Sequence, residues 1–411
     1  MRVAVVGSGA REHALAWALG HTADVVAVPG NAGMARAGVR CAPSLAAVGP
    51  VDLVVVGPEQ PLVDGLADRL RAAGTRVFGP GAAGAGLERS KAHLKQVLRR
   101  AGVPTAASRT FTAGDQEAAE TFLRSLAAPW VVKTDGLAAG KGVFVTDDVD
   151  AAVADMRAKL AGESFGDAGR TVVIEEGMTG PEVSVLALCD GRVADDAVVV
   201  LPVVRDHKRV GEGETGPNTG GMGAFSPVGD VPDDFLDQVL ERMVLPTLHT
   251  LAGDSVDYCG VLYAGIMLTP DGPKLVEYNI RFGDPEVQVV LPRLEGDVAA
   301  LLASAAAGRV DPTAVSVRPD ACVGVVLAAP GYPAAPVTGA LIRGFEDAGP
   351  LVFSAGVADR DGHLVTAGGR VLCVTALGAD GPAARRAAYA AADKVSFEGG
   401  VLRREDIGAT A

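Results

Sequence analysis

The first hundred residues alternate short apolar runs with longer amphipathic stretches, and this alternation constrains the fold more than any other feature. Helical stretches near Arg11 to Leu19 and Leu62 to Ala73 separate the apolar runs. The apolar runs are Val3 to Val6, Asp24 to Val28, Asp52 to Val56 and Arg76 to Phe78. Such alternation is typical of βαβ units, so we predict a parallel sheet covered by helices.

The rhythm changes after Gly102-Val103-Pro104, where β-rich segments follow one another. The first of these are Trp130 to Lys133, Gly142 to Val145, Thr171 to Glu176 and Val183 to Cys189. A polar, Gly-rich segment, Arg205 to Ala224, then interrupts the strands, which indicates a functional loop. After a helix over Asp233 to Leu251, two strands, Gly260 to Leu268 and Lys274 to Arg281, join at a turn with a strong hairpin signal.

The last segment, from about Ser316, predicts a small α+β domain. It contains a buried-type strand, Cys322 to Ala329, a second strand, Arg370 to Ala376, and an Ala-rich helix. We therefore predict a multidomain fold of α/β and α+β character. Its parts are an N-terminal parallel α/β domain (1–101), a central domain (102–315) and a C-terminal α+β domain (316–411).

Composition excludes several functional classes. A formal net charge of -13 argues against general nucleic-acid binding, which needs clustered Lys and Arg. The five cysteines are scattered and never spaced as CxxC, so a disulfide framework or zinc site is not expected. The sequence has neither a signal-like start nor an apolar run of about 18 residues, so we expect a cytoplasmic protein without membrane contact.

The segment Gly7-Ser8-Gly9-Ala10-Arg11-Glu12-His13 lies between a predicted strand and helix, where backbone N–H groups suit an anion. A dinucleotide fingerprint would need a third glycine where Glu12 stands, and no acidic residue ends the second strand. A nicotinamide or flavin site is therefore disfavoured. Glycines that only shape a tight turn remain an alternative.

A second Gly-rich segment, Lys133 to Gly142, joins two predicted strands. It is not a Walker A loop, because three residues separate Gly136 from Gly140 and Gly142 follows Lys141. A hairpin of glycines and alanines with two lysines can instead fold over a triphosphate and exclude water. We predict a phosphate-covering loop that opens and closes. A flexible turn without a ligand is the alternative.

The strand segment Glu277-Tyr278-Asn279-Ile280-Arg281 combines two oxygen donors with a guanidinium. Period-two geometry places Glu277, Asn279 and Arg281 on one face. Carboxylate and amide oxygens suit Mg2+, and a neighbouring Arg offsets charge that develops in phosphoryl transfer. An ordinary polar strand face is the alternative.

A further polar segment is Asp206-His207-Lys208-Arg209, which is followed by the Gly-rich stretch Gly216 to Gly223. The basic residues supply a local positive field in an otherwise acidic chain, and the glycines let a ligand approach the backbone. A solvated basic turn is the alternative. His207 alone is also consistent with a hydrogen-bonded structural histidine.

Seven segments together resemble the phosphoribosylamine-glycine ligase family of ATP-grasp enzymes. They are GSGAREHALAW, VVGPEQPLV, KTDGLAAGKGV, DHKRVGEGETGPNTGGMGAFSP, GVLYAGIM, VEYNIRFGDPE and GGRVLCVTALG. The motifs follow the family's order from residue 7 to residue 378. The resemblance implies that ATP phosphorylates glycine to glycyl phosphate, and that phosphoribosylamine displaces phosphate to give glycinamide ribonucleotide in purine biosynthesis. It also implies a central ATP-grasp domain with a mobile subdomain of about residues 120–190, and a monomer.

The resemblance also assigns roles to particular residues. Glu277 and Asn279 would bind Mg2+ or Mn2+, and Arg281, Lys133 and Lys141 would act in catalysis. The ATP-binding set would be Lys91, Lys133, Gly136, Gly140, Lys141, Gly142, Glu175, Glu176 and Glu182, with Glu175 and Glu176 at adenine and Glu182 at ribose. The glycine and phosphoribosylamine pockets would use Gly9, Arg11, Glu12, His13, Asp206, His207, Lys208, Arg209, Asn218, Thr219, Gly220, Gly221, Met222 and Gly223.

The chain departs from the family pattern at Ala10, where glycine is usual, and at residues 177–181, where Gly-Met-Thr-Gly-Pro replaces a more apolar, acidic hinge. Pro181 removes a backbone donor near the expected adenine site. Three alternatives stay open: another ATP-grasp ligase or carboxylase, a nucleotide-binding regulatory protein without turnover, and a nicotinamide dehydrogenase.

Overall fold

The computed structural model describes residues 1–136, 142–164, 170–349 and 351–411. Gly140 and Lys141, two of the expected ATP-binding residues, lie outside these ranges. Within them, no helix is long and apolar enough to cross a membrane.

The N-terminal unit contains the predicted parallel sheet. Its strands are β1 (Arg2–Gly7), β2 (Asp24–Pro29), β3 (Arg40–Cys41), β4 (Leu53–Val56) and β5 (Val77–Phe78), in the order β3-β2-β1-β4-β5. Strand β4 is buried along its whole length, as expected for a sheet covered on both faces. The helices are α1 (Ala10–Leu19), α2 (Ala32–Arg36), α3 (Leu45–Val48), α4 (Glu59–Val63), α5 (Leu66–Ala72), α6 (Gly86–Arg89) and α7 (Lys91–Ala101).

One predicted helix is divided in the structure. The stretch Leu62 to Ala73 is not continuous, because α4 ends at Val63 and α5 begins at Leu66. Gly65 between them has a φ of 76°, a left-handed conformation that glycine adopts without steric cost and that cannot continue a right-handed helix.

The second sheet forms a separate unit with its own core. Its strands are β6 (Ser108–Thr112), β7 (Trp130–Thr134), β8 (Val143–Thr146) and β9 (Thr171–Glu175), in the antiparallel order β6-β9-β7-β8. Helices α8 (Gln116–Ser125) and α9 (Val149–Leu160) pack against the sheet through Leu123, Met156 and Ile174. The Gly-rich segment joins β7 to β8, as predicted.

The next strands along the chain are β10 (Glu182–Asp190), β11 (Val198–Val200), β12 (Arg205–Asp206), β13 (Arg209–Gly211), β14 (Thr215–Asn218), β15 (Gly223–Ser226), β16 (Cys259–Thr269) and β17 (Gly272–Asn279). The central sheet has the order β11-β10-β16-β17. Strands β13 and β14 form a small antiparallel hairpin inside the polar segment that we expected to be a loop.

The predicted helix over Asp233 to Leu251 is interrupted. It consists of α10 (Phe235–Val239), a π-helical turn (Leu240–Val244) and α11 (Leu245–Gly253). Pro246 closely follows the π-helical turn, and a proline inside a continuing helix has no N–H to donate to the preceding turn, which accounts for the local change in helix type. Helices α12 (Glu286–Val290) and α13 (Val298–Ala306) follow, with the short strand pair β18 (Leu294–Gly296) and β19 (Val315–Val317).

The C-terminal segment forms a sheet that also includes earlier strands. Its elements are β20 (Ala321–Ala328), β21 (Ile342–Arg343), β22 (Val352–Ser354), β23 (Val357–Arg360), β24 (His363–Thr366), β25 (Arg370–Gly378), α14 (Gly381–Ala392) and β26 (Ser396–Phe397). The sheet order is β12-β15-β20-β25-β22. One apolar core contains Phe78, Phe282 and Phe353, so the N-terminal, central and C-terminal parts of the chain share a core.

Candidate active site

Strand β17 presents the two predicted metal ligands on one face. Asn279 pairs with Tyr263 and Glu277 with Gly265, and the intervening Tyr278 is buried on the opposite face. The expectation for Arg281 was wrong in one respect, because β17 ends at Asn279 and Arg281 lies beyond the strand. Its orientation therefore depends on tertiary contacts and not on strand periodicity.

Glu277 and Asn279 fit a hard divalent cation. Among the described residues, the Glu277 carboxylate makes no hydrogen bond and no ion pair of its own. The Asn279 Oδ1 accepts a long, 3.3 Å bond from Arg281 Nη2 and no other bond from a described residue. A carboxylate and an amide oxygen are donors that Mg2+ prefers, with water and substrate phosphates as further ligands. No group of three or more His, Cys, Asp or Glu side chains could hold a metal ion in the part of the chain described.

Positive side chains surround Glu277. Burial alone would raise the pKa of its carboxyl group, but Lys133, Lys91, Lys208 and Arg281 outweigh burial and hold that pKa below its ordinary value. The carboxylate is therefore ionised and surrounded by cations drawn from separate segments of the chain. Such a cluster can accept a polyanion together with its counter-ion.

Lys133 lies on β7 and shares a carboxylate with a second buried lysine. Glu175 Oε2 is 3.1 Å from Lys133 Nζ and 3.2 Å from Lys95 Nζ. Burial lowers the pKa of Lys95 to about 8, and the nearby Lys133 contributes in the same direction. For Lys133, the charges of Glu175 and Glu277 outweigh burial and raise the pKa. Lys95, on the buried side of α7, was not identified from the sequence.

The start of α7 meets the Gly-rich segment. Lys91 Nζ donates to the Gly136 carbonyl at 3.3 Å, while Asp135 accepts from Ser90 Oγ and from the Ala92 N–H, each at 3.1 Å. Gly136 has a φ of 132°, a backbone conformation that would be strained for any residue with a side chain. At the other end, the Gly142 carbonyl accepts from the Thr134 N–H at 2.8 Å. The structure thus brings Lys91 and Lys133 to the same segment.

The expected nucleotide hinge follows β9. Glu176 accepts the Ala107 N–H at 3.0 Å and returns a backbone bond to the same residue. Pro181 accepts the Leu268 N–H at 2.9 Å, so this proline still holds the hinge to β16 through its carbonyl. Gly265 lies between the side chains of Glu182 and Glu277. A Cβ built on Gly265 would be 3.4 Å from Glu182 Oε1 and 3.8 Å from Glu277 Cγ.

Lys208 links the segment that follows β12 to the central sheet. Its Nζ lies 2.8 Å from Glu182 Oε1 and 3.0 Å from Asp206 Oδ1. Burial would lower the pKa of Lys208, but Asp206 and Glu182 together raise it well above its usual range. The residue expected at the ribose and the segment expected at the acceptor therefore meet at one ion pair.

A buried polar chain lies behind Lys208. Glu286 Oε1 accepts from the Tyr263 hydroxyl at 2.7 Å, and that hydroxyl lies 2.8 Å from Ser184 Oγ. Burial, with the negative Asp206 nearby, raises the pKa of Glu286 to about 7. Glu286 is part of the FGDPE sequence used for the family resemblance, but its environment could not be read from that motif.

Arg281 is held between two carboxylates of the N-terminal unit. Its Nη2 is 3.2 Å from Glu88 Oε1, its Nε is 3.5 Å from Glu59 Oε2, and Glu88 also accepts the Ile280 N–H at 2.8 Å. Burial would lower the pKa of Arg281, but Glu88 and Glu59 outweigh it and raise that pKa. Arg281 is a permanent cation.

The turn before α1 is closed by its own side chains. Glu12 Oε2 accepts the Gly9 N–H at 2.6 Å, so one N–H expected to face an anion already has a partner. Arg11 donates from Nε to Glu12 Oε1 at 2.5 Å and from Nη1 to the Phe282 carbonyl at 3.2 Å. A Cβ on Gly57 would lie 2.0 Å from Glu12 Oε1, so this carboxylate fills the space under the turn.

His13 faces the C-terminal unit. Its Nδ1 accepts the Ser354 N–H at 2.8 Å, and its ring meets Phe353 edge to face with centroids 5.7 Å apart. Burial lowers the pKa of His13 to about 4. The structure therefore places a neutral His13 at a contact between units and not beside Lys208 or Glu277.

The segment from Asn218 to Gly223 folds back on residues 207 and 208. Thr219 donates its N–H to the Lys208 carbonyl and Met222 donates to the His207 carbonyl, each at 2.7 Å. Asn218 is exposed, whereas Gly221, Met222 and Gly223 are buried. Arg209 points along the hairpin and donates to the Gly216 carbonyl at 2.7 Å.

Arg370 on β25 connects this segment to the turn after Arg281. Its Nη1 donates to the Gly220 carbonyl at 2.5 Å and the Asp284 carbonyl at 2.7 Å, while Nη2 lies 3.3 Å from Asp284 Oδ2. Gly220 also donates its N–H to the Tyr332 hydroxyl at 3.1 Å. Arg370 was not singled out from the sequence, although it belongs to the GGRVLCVTALG motif.

Comparison with known proteins supports one family along the whole chain. Models of phosphoribosylglycinamide synthetase match as the N domain over residues 1–88, the ATP-grasp (A) domain over 89–287 and the C domain over 322–410. A phosphoribosylamine–glycine ligase from Caulobacter vibrioides is 47% identical, covering 99% of this chain and 98% of that protein. One from Pseudomonas aeruginosa is 45% identical, covering 99% and 97%.

Solved structures agree with these matches. Phosphoribosylamine–glycine ligase from Thermotoga maritima superposes with a TM-score of 0.86 at 35% identity, covering 99% of this chain and 100% of that one. An N5-carboxyaminoimidazole synthase from Aspergillus clavatus, solved with ADP, has a TM-score of 0.63 at 15% identity, covering 95% and 98%, which establishes a shared fold alone. The predicted resemblance and fold class are confirmed: the chain belongs to the phosphoribosylglycinamide synthetase family.

Proposed function

We propose that this chain is an ATP-dependent ligase that joins glycine to 5-phosphoribosylamine in purine biosynthesis, giving glycinamide ribonucleotide, ADP and phosphate. The observation that carries the proposal is the carboxylate of Glu277, which has no hydrogen-bond or ion-pair partner among the described residues and lies among Lys133, Lys91, Lys208 and Arg281. Such a site suits a triphosphate bound with a divalent cation. The names of the full-length relatives support the same reaction.

A carboxylate is a poor electrophile, so glycine must be activated before an amine can attack it. Transfer of the γ-phosphoryl group from ATP to a glycine oxygen gives glycyl phosphate and ADP, and the amine then displaces phosphate. This chemistry needs positioned charge more than a nucleophilic side chain. The five cysteines, all within the described ranges, are free, and no catalytic role is assigned to them.

Glu277 and Asn279 hold Mg2+ or Mn2+ in this proposal. When bound, the metal neutralises charge on the nucleotide phosphates. Arg281 directs its guanidinium at the oxygens of the transferred phosphoryl group and of the acyl phosphate. Glu88 and Glu59 fix the guanidinium, so little reorganisation is needed during the reaction.

Lys133 and Lys91 bind the ATP phosphates, together with the loop from Gly136 to Gly142 that includes Lys141. Glu175 and Glu176 lie at the adenine end and Glu182 at the ribose. The Lys91 bond to the Gly136 carbonyl supports this assignment, because it places both lysines at the loop's base. Lys95 supports it indirectly, since it shares Glu175 with Lys133 and so keeps that carboxylate in place.

The glycine and acceptor pockets use three segments in this proposal. Asp206 to Arg209 and the Asn218 to Gly223 loop bind glycine and the amine, and the Gly9 to His13 turn contributes the remaining side. The Lys208 ion pair with Glu182 supports a shared wall between the nucleotide and glycine pockets. Arg11 reaches the same region by its bond to the Phe282 carbonyl, next to Arg281.

We further propose domains of residues 1–101, 102–315 and 316–411, with a mobile subdomain of about 120–190. The separate core behind β6 to β9 supports a movable unit. We also propose that the protein is a cytoplasmic monomer without nucleic-acid partners. Sedimentation with and without ligands tests the monomer, and hydrogen exchange with and without ATP tests the moving unit.

The proposed activation step has a direct test. Glycine whose carboxylate carries heavy oxygen is supplied with ATP, Mg2+ and freshly generated phosphoribosylamine, and the released phosphate is analysed by mass. Glycyl phosphate as intermediate requires one labelled oxygen in each phosphate, because the bridging oxygen comes from glycine. Unlabelled phosphate would contradict the proposed route.

A further inference from the structure

The C-terminal segment Arg404 to Asp406 holds the β13–β14 hairpin by a buried guanidinium. The Arg404 side chain is 1% exposed, and its Nη2 lies 2.8 Å from Glu214 Oε1 and 2.6 Å from Asp406 Oδ2. Its Nη1 donates to the Arg209 carbonyl at 3.0 Å. A guanidinium satisfied by two carboxylates and a carbonyl fixes direction as well as distance.

Further bonds hold the tip of the same hairpin. Asp406 Oδ2 accepts the Gly213 N–H at 2.9 Å, and Glu405 donates its N–H to Glu212 Oε1 at 3.2 Å. Glu214 has a φ of 59°, a left-handed conformation that is uncommon outside glycine and that persists only where surrounding contacts impose it. The tip is therefore shaped by a segment nearly two hundred residues away in sequence.

The charges at this contact are stable across neutral pH. Burial would raise the pKa of Glu214, but bonds to His207 and Arg404 outweigh it and lower that pKa to about 2. The pKa of Asp406 is likewise lowered to about 2, against burial, chiefly by Arg404. Both carboxylates remain ionised partners of the guanidinium.

The hairpin is continuous with both segments of the proposed acceptor site. Before β13 the chain carries Asp206 to Lys208, and after β14 it carries the loop whose Thr219 and Met222 donate back to residues 208 and 207. Glu214 also bonds His207 Nδ1 at 2.7 Å. A shift of the hairpin tip therefore moves the backbone beside Lys208.

We propose that Arg404 is a positioning residue for the reaction, setting the β13–β14 hairpin and with it the segments 206–209 and 218–223. This inference rests on the proposed function, in which those segments bind glycine and the amine. Arg404 touches neither substrate and acts through Glu214, Asp406, the Arg209 carbonyl and His207 Nδ1, which lies 3.3 Å from Arg404 Nη2. Among the contacts of the described residues, none joins Arg404 to Glu277 or Asn279 on β17.

Kinetics separate positioning from general stability. For Arg404→Ala we expect kcat/KM for phosphoribosylamine and glycine to fall by about a hundredfold, with the KM for ATP near the wild-type value. Arg404→Lys, which keeps the charge but not the fork, should recover part of the loss. Arg403→Ala is the matched control, because within the described ranges Arg403 pairs with Asp393 and Glu405 and stacks over Tyr389, without an ion pair to the hairpin.

Hydrogen exchange of residues 209–218, measured without substrates, tests the positioning itself. Faster exchange there in Arg404→Lys, but not in Arg403→Ala, together with the kinetic split, supports the proposal. Wild-type exchange in the hairpin of the Arg404 variants overturns it, as does faster exchange with unchanged kinetics. Absence of glycinamide ribonucleotide from the wild-type reaction overturns the proposed function instead, and the exchange result is independent of that outcome.

Discussion

Arg281 and Glu88 form an ion pair, with Nη2 and Oε1 3.2 Å apart, that joins the end of β17 to the N-terminal unit. Glu88 also accepts the Ile280 N–H, so a single carboxylate fixes both the backbone and the guanidinium. Arg281 lies just beyond the strand that presents Glu277 and Asn279. The N-terminal unit thus sets the direction of the cation beside the metal-ligand pair.

Glu88→Gln should lower kcat by between about tenfold and about a hundredfold while changing the KM for ATP little. The amide can still accept from Ile280, but it no longer attracts the guanidinium. Steady-state kinetics at saturating glycine provide the measurement. Glu59→Gln is the comparison, because Glu59 is farther from Arg281, at 3.5 Å, and should have the smaller effect. An equal or larger effect of Glu59→Gln would count against this account.

Glu277→Gln should reduce metal-dependent ADP release by at least about a hundredfold and leave the folded structure intact. The substitution removes one ionised oxygen ligand without changing side-chain size. Initial rates across a Mg2+ titration, with thermal unfolding measured alongside, provide the test. Glu295→Gln, at an exposed carboxylate paired with Arg318, should match the wild type. Activity near wild type in Glu277→Gln would remove this residue from the metal site.

Lys208→Met should raise the KM for ATP and the KM for glycine together, each by at least about tenfold. The reason is that Lys208 compensates both Glu182 and Asp206, which the proposed function assigns to different pockets. Lys394→Met serves as the control, because Lys394 bonds the Asp347 carbonyl and, in the part of the chain that the structure describes, pairs with no carboxylate. A rise in only one of the two constants would show that the pockets do not share this residue.

Much of the fold follows from local sequence pattern. The parallel sheet, the β16–β17 hairpin and the shared face of Glu277 and Asn279 each depend on spacing within one segment. The ion pairs of the site could not be predicted in this way, because Glu88 and Arg281 are 193 residues apart. In the sequence, neither residue can be told from a charged residue on the surface. Period-two reasoning also failed beyond Asn279, where tertiary contacts replace the strand.

His13 gives the fold a pH dependence that can be isolated. Its pKa falls from 6.5 to about 4 on burial, so below pH 6.5 the unfolded chain gains a proton that the folded chain does not. Stability is present above pH 6.5 and is lost as pH falls toward about 4. Relative to His13→Gln, the wild type should lose about 2 kcal/mol between pH 7 and pH 5.

Denaturant unfolding at these two pH values measures that difference, since the carboxylates titrate in both proteins and cancel. The glutamine can accept the Ser354 N–H, so the comparison does not depend on losing that bond. Parallel pH profiles for the two proteins would contradict a buried neutral His13.

In the proposed reaction, ATP activates glycine for attack by phosphoribosylamine. Its most direct test follows ADP release by the purified protein with ATP, Mg2+, glycine and freshly generated phosphoribosylamine, omitting each component in turn and identifying the product by mass. We predict ADP and glycinamide ribonucleotide in equal amounts, and only in the complete mixture. ATP consumption that does not require glycine, or product formation with bicarbonate in its place, would contradict the account.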